Sequence, residues 1–135
     1  MVPPGILLIE GEEDGLTARV LRKYRIDNLV ERAADGQGAI ELLRAGFASR
    51  IQLLVLDHSL PGIPALETVA RARAFRGLEE LPVVVLCGSP EEERQVRAWG
   101  LPRTTCMSKP AGFFKLLECI QKLEMRWWVF AAKPG

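Results

Sequence analysis

The sequence predicts an α/β fold, a doubly wound sheet of five parallel strands with five helices. Three observations carry that expectation. Short apolar runs recur along the chain, longer segments with helical apolar spacing separate them, and the runs end abruptly in charged or turn residues. The first strand is Ile6–Ile9, followed by Glu10, Gly11, Glu12 and Glu13. A helix beginning near Glu13 or Asp14 places Thr17, Val20, Leu21 and Tyr24 on one face. A weaker strand around Leu29–Ala33 leads through Asp35-Gly36 into a helix carrying Ala39, Ile40 and Leu43, with Gly46 as its stop.

The third strand is Leu53–Leu56, and a helix from about Pro64 to Phe75 follows, with Leu66, Val69 and Ala70 expected inward. Val83-Val84-Val85-Leu86 is apolar without a break, which suits a central strand covered on both faces. Ser89-Pro90-Glu91-Glu92 supplies an N-cap, a proline at the first helical position and a capping-box glutamate; Gly100 ends that helix. A short strand near Thr105–Met107 precedes a last helix with Phe113, Leu116, Leu117, Ile120 and Leu123 at helical spacing. The expected strand order is 2-1-3-4-5, the flavodoxin-like arrangement, which sets the first strand beside the third and Glu10 near Asp57.

The bulk numbers bound the function. A chain of 135 residues forms one domain with a real core. The expected division is a core over about residues 6–124 and an aromatic C-terminal extension over 125–135. Lysine and arginine number 18 against 17 acids, which argues against a dedicated nucleic-acid binder. Cys87, Cys106 and Cys119 lack metal-ligand spacing, and His58 is the sole histidine, so free thiols are expected instead of zinc ligands. No basic, apolar leader opens the sequence, and no run approaches the ~20 apolar residues that span a bilayer. A soluble cytoplasmic protein without membrane contacts is the expectation.

Asp57 is the most informative residue. It ends the run Leu53–Leu56 and opens the turn His58-Ser59-Leu60-Pro61-Gly62. Packing explains an acid there poorly, because a buried charge needs a partner or a metal. If the apolar runs are parallel strands, Glu10, Asp57 and Lys109 meet on the carboxyl edge of the sheet, where such folds bind ligands. A carboxylate, the acidic loop Glu10-Gly11-Glu12-Glu13 and a lysine in one crevice suit phosphate held with a divalent cation. His58, next in sequence to Asp57, is expected to face solvent in the turn.

Taken in order, Leu54-Val55-Leu56-Asp57-His58-Ser59-Leu60-Pro61-Gly62, Leu81-Pro82-Val83-Val84-Val85-Leu86 and Ser108-Lys109-Pro110 resemble the receiver domain of two-component response regulators. The match covers about Ile6 to Leu123. The segment before Leu81 is similar to single-domain receivers paired with bacterial phytochromes and related histidine kinases. The resemblance implies that Asp57 accepts a phosphoryl group from a kinase histidine and that Lys109 contacts a phosphoryl oxygen. It further implies that the Lys109–Pro110 bond is cis, that Glu10 and Asp57 hold Mg²⁺ and that the Ser59 main-chain carbonyl completes the metal site.

Three departures from the family pattern stand in the sequence. Gly11 replaces the second of two adjacent acids, the one that touches Mg²⁺ directly, which should weaken the metal; Glu12 or Glu13 would have to substitute. Cys87 replaces a threonine or serine whose hydroxyl bonds the phosphoryl group, and a thiol is a poor donor. A hydrogen bond to a charged group contributes about 1.5–3 kcal/mol, against a swing of about 5.5 kcal/mol for a complete two-state switch. Gly88 beside it keeps room for the group. Cys106 stands where an aromatic switch residue often sits, so the usual ring rotation is absent. A redox pair of Cys87 with Cys106 is the weaker reading of two packed thiols. In the tail, Trp127 continues the inward stripe, whereas Trp128 and Phe130 point elsewhere and suggest either a homodimer surface or packing on the domain's own base.

Two readings of function follow. The first is a single-domain receiver phosphorylated on Asp57 by a histidine kinase with Mg²⁺, acting through a downstream or phosphotransfer protein and without enzymatic turnover of its own. The second is a pseudo-receiver, an interaction module independent of phosphorylation. A phosphatase with Asp57 as nucleophile is disfavoured, because Ser59 stands where such hydrolases carry a second aspartate.

Overall fold

A computed structural model describes residues 5–10, 30–109 and 113–122. The side chains of Phe113, Leu117 and Ile120 fall outside that description, as do the helix expected from residue 13, the acids at 12 and 13, Gly11, Pro110 and the tail aromatics.

Five strands form one parallel sheet in the order β2-β1-β3-β4-β5. They are β1 (Gly5–Ile9), β2 (Val30–Ala33), β3 (Ile51–Asp57), β4 (Val83–Cys87) and β5 (Thr104–Ser108). All of β1 and β4 and all but Gln52 of β3 are buried, because unbroken runs of branched aliphatics can be covered on both faces. β2 and β5, at the two edges, are half exposed and more polar, as edge strands tolerate.

Four α-helices lie among the described residues: α1 (Gly36–Arg44), α2 (Ala65–Arg73), α3 (Pro90–Ala98) and α4 (Phe113–Lys122). Asp35 caps α1 by accepting the Gly38 N–H at 2.8 Å, and Gly46, at φ 132°, ends the turn that follows. Gly100, at φ 64°, does the same after α3. In α2 the buried face is Ala65, Thr68, Val69 and Ala72. The expected inward positions Leu66 and Ala70 are exposed instead, Leu66 by 42%. The face is set by close approach to α1, which small residues permit and a leucine does not. In α4, Leu116 and Cys119 are buried and Phe114 is exposed.

The approach of α1 to α2 has a testable limit. A Cβ on Gly36 would come within 2.3 Å of the Thr68 hydroxyl, whose oxygen already donates to Pro64 C=O. Helix propensity alone favours alanine over glycine by about 1 kcal/mol. Gly36→Ala is nevertheless expected to destabilise the protein by about 1–3 kcal/mol through overpacking. A urea midpoint that rises would show that the helices are free to separate.

Sequence inspection did not single out Arg73. Its guanidinium, at the end of α2, donates to Leu81 C=O at 2.8 and 3.2 Å, to Arg103 C=O at 3.1 Å and to the Thr104 hydroxyl at 3.0 Å. It ties the helix to the entries of β4 and β5, at the sheet edge opposite the carboxyl ends.

Candidate functional site

The sheet register brings the chemistry-bearing residues to one edge. Ile9 pairs with Leu56, so Glu10 and Asp57 follow at neighbouring strand ends. Asp57 pairs with Leu86, and Cys87 pairs with Ser108, which puts Lys109 one step further along β5. Backbone bonds extend the pairing past the strands: His58 N–H donates to Leu86 C=O at 2.8 Å, and Lys109 N–H to Cys87 C=O at 2.9 Å.

Glu10 and Asp57 are each only 3% exposed. Buried carboxylates require cations or donors. The Lys109 ammonium lies 3.1 Å from Asp57 Oδ1, a close ion pair. For Glu10 the nearby cation is Arg32 on β2, at a looser 3.9 Å. Arg32 gave no signal in the sequence, because the pairing crosses strands. Two hard carboxylate oxygen donors side by side fit Mg²⁺, which keeps several waters and needs one or two carboxylates from a protein. No cluster of three or more acidic, histidine or cysteine ligands occurs among the described residues.

Cys87 does not behave as a donor into the crevice. Its Sγ lies 3.7 Å from its own strand's Val85 C=O, with the side chain buried. Burial, reinforced by the nearby Cys106, Glu92 and Glu93, pushes the thiol up to about 12, so it stays protonated and unreactive. Cys106 pairs in register with Val85 and so lies diagonally from Cys87; all three cysteines are free thiols.

Gly88 is exposed at the mouth, and a Cβ there would meet only Glu92 Oε1 at an ordinary 3.6 Å. Its N–H donates to that same Glu92 oxygen at 2.7 Å. Ser89 caps α3 as the sequence implies, accepting the Glu92 N–H at 3.2 Å. The reciprocal half of the box differs: the carboxylate reaches the N–H of Gly88, one residue before the cap. Its other oxygen accepts the Ser59 hydroxyl at 2.9 Å. The Gly88 bond is the main reason that Glu92 is held below the usual carboxylate range; partial burial opposes it, and Ser59, His58 and Lys109 add to it. Glu93 accepts the Ser108 hydroxyl at 2.7 Å.

His58 is not a solvent-facing turn residue. It stacks on Trp99 with ring centroids 6.0 Å apart and planes inclined by 12°. Its Nδ1 stands 3.7 Å from Glu92 Oε2, too far for a hydrogen bond but close enough to feel the charge. Glu92 stands in the first turn of α3 and Trp99 caps its far end, seven residues on and so on the same side, and both engage this imidazole.

Known proteins give a consistent set of relatives. The chain is 26% identical over 135 residues to the probable methanogenesis regulatory protein FilR2 of Methanothrix harundinacea, covering 96% of this chain and 87% of that protein. It is 28% identical over 139 residues to response regulator Rcp1 of Synechocystis, covering 98% and 95% of the two chains. The solved bacteriophytochrome response regulator AtBRR has a TM-score of 0.79 at 29% identity, over 94% of this chain and 96% of that one. The chemotaxis protein CheY4 of Vibrio cholerae, at 21% identity and a TM-score of 0.69 over 91% of this chain and 99% of that one, shares the fold. No family model matches the chain. Rcp1, a relative along nearly the whole length, and the bacteriophytochrome regulators among the neighbours in structure are response regulators, and this chain is similar to them in sequence and in fold.

Proposed function

We propose that this receiver accepts a phosphoryl group on Asp57 from a sensor histidine kinase and signals by protein–protein contact. The observation that carries the reading is the ammonium of Lys109 at 3.1 Å from a buried carboxylate at the sheet's carboxyl edge. Asp57 Oδ attacks phosphorus as the bond from phosphorus to the donor breaks. The electron pair of that bond stays on the leaving group, a histidine nitrogen or the oxygen of a small acyl phosphate. Lys109 offsets charge on a phosphoryl oxygen as it develops.

Glu10, Asp57 and the Ser59 carbonyl are the residues that would hold Mg²⁺, which when bound neutralises phosphoryl oxygens. Relatives named as bacteriophytochrome response regulators support a kinase of that broad type. A downstream or phosphotransfer protein, or a second copy of the chain, would read the modified surface. The proposed domain is the whole of residues 1–135.

A second reading, the phosphorylation-independent module, draws on one observation: the Cys87 thiol turns to Val85 C=O and supplies no hydroxyl to the crevice. Cys87→Thr is therefore expected to tighten binding of beryllofluoride with Mg²⁺ about tenfold or more, the lower end of a bond to a charged group. Unchanged affinity would mean that residue 87 does not reach the bound group.

Acetyl phosphate separates the two readings. With Mg²⁺ present, intact mass and peptide mapping should find a hydroxylamine-labile phosphoryl group on Asp57. A protein that stays unlabelled at saturating donor is the interaction module.

A further inference from the structure

Resting on Asp57 as the acceptor, we infer that the Glu92 carboxylate occupies the donors which a phosphoryl group on Asp57 would take. Phosphorylation then expels Glu92, and the first turn of α3 becomes the moving part of this receiver.

The placement of the donors leads there. Gly88 opens the loop after β4, between the strand ends that carry Asp57 and Lys109. The identified donors around this gap are the Gly88 N–H, the Ser59 hydroxyl and the Lys109 ammonium. Glu92 accepts from the first two, at 2.7 and 2.9 Å, and feels the charge of the third. Its two oxygens thus bridge the ends of β3 and β4 much as two oxygens of a tetrahedral anion would.

A phosphoryl group brings about −1.5 to −2 charges at neutral pH, and two anions cannot share one donor set without strong repulsion. The newcomer is tethered covalently to Asp57 at the edge of the gap; Glu92 hangs on a flexible side chain and is the group that can leave. Its departure has reach, because several of the points that tie α3 to the strand ends lie at this site. They include the Glu92 bonds, the Glu93–Ser108 bond and the stack of Trp99 on His58. Removing the first and repelling the second, which lies beside the same site, frees the helix start. Such a device needs no hydroxyl at position 87 and no ring at position 106, the two features that this sequence lacks.

The test compares parent protein, Glu92→Gln, Glu91→Gln and Asp57→Asn with acetyl phosphate and Mg²⁺. Glutamine keeps an acceptor for Gly88 and so preserves the fold, but removes the charge. Glu91 is exposed in the same turn and serves as the matched charge control. Glu92→Gln is expected to label Asp57 about tenfold faster, the scale of one nearby charge in a partly screened site, with Glu91→Gln unchanged. In the parent, addition of beryllofluoride with Mg²⁺ should move both the Gly88 amide and the Glu92 side-chain carboxyl resonances. A role confined to helix capping would change melting temperature without changing the rate. Equal labelling of parent and Glu92→Gln, or equal acceleration by Glu91→Gln, overturns the inference alone. No labelling of Asp57 in any protein overturns the acceptor reading and the inference with it.

Discussion

Replacing Asp57 by asparagine is expected to reduce phosphoryl incorporation from acetyl phosphate to background while the protein stays folded. An amide has the size and planarity of the carboxylate, and its oxygen still faces the Lys109 ammonium that stands 3.1 Å away. The backbone pairing of Asp57 with Leu86 and the His58–Leu86 bond do not involve the side chain. What is lost is the anionic oxygen that attacks phosphorus, because an amide oxygen is far weaker as a nucleophile. The experiment discriminates because a second buried carboxylate, Glu10, ends the neighbouring strand. Label that persists in the variant and maps to Glu10 would move the acceptor from β3 to β1. Cooperative thermal unfolding with a Tm near that of the parent guards against loss through misfolding.

The second large effect is at Lys109. Lys109→Met is expected to slow phosphoryl uptake by Asp57 about 10²–10³-fold, the usual loss when one preorganised donor to developing charge is removed. Methionine keeps the length of the stem and, through its N–H, the bond to Cys87 C=O that closes β5 against β4. The effect on stability should be far smaller than on rate. Lys109 is about a third exposed, at 32%, so water screens much of its charge. Arginine is not an equivalent replacement, because its planar fork cannot act as a compact point charge in the same space. Stopped-flow or quench measurements at fixed acetyl phosphate give the rate. A variant as fast as the parent would show that the ammonium is a structural partner of Asp57 alone.

The strands were legible because the residues that form them answer to one requirement. A parallel strand covered on both faces must be apolar throughout, and Ile6–Ile9, Leu53–Leu56 and Val83–Leu86 all obey it, with observed limits at most two residues wider at either end. Once those runs are parallel, the acids and lysine that follow them are forced to one edge, so the sequence alone brings Glu10, Asp57 and Lys109 together. The inward face of α2 was misjudged because leucine at position 66 was weighed by its apolar surface. Close helix contact at Gly36 and Thr68 selects small residues instead.

Glu92 shows a subtler limit. The pattern Ser89-Pro90-Glu91-Glu92 has the same letters whether the carboxylate returns to the cap residue or to the residue before it, and only the loop geometry at Gly88 decides. A capping glutamate that follows a strand end bearing the acceptor's neighbours is a signal worth reading twice. His58 is expected in solvent because turns are usually exposed, and its partial burial comes with the stack on Trp99, forty-one residues later at the end of α3. The Glu10–Arg32 approach likewise crosses strands and has no local signature.

A crystal structure with Mg²⁺ and beryllofluoride is the most direct measurement. The expected density is a tetrahedral group bonded to Asp57 Oδ, in contact with Lys109 Nζ and the Gly88 N–H, with the Glu92 side chain turned away. Saturating beryllofluoride that leaves Asp57 bare, with Glu92 still on Gly88, would contradict the assignment of this edge as a phosphoryl-accepting site.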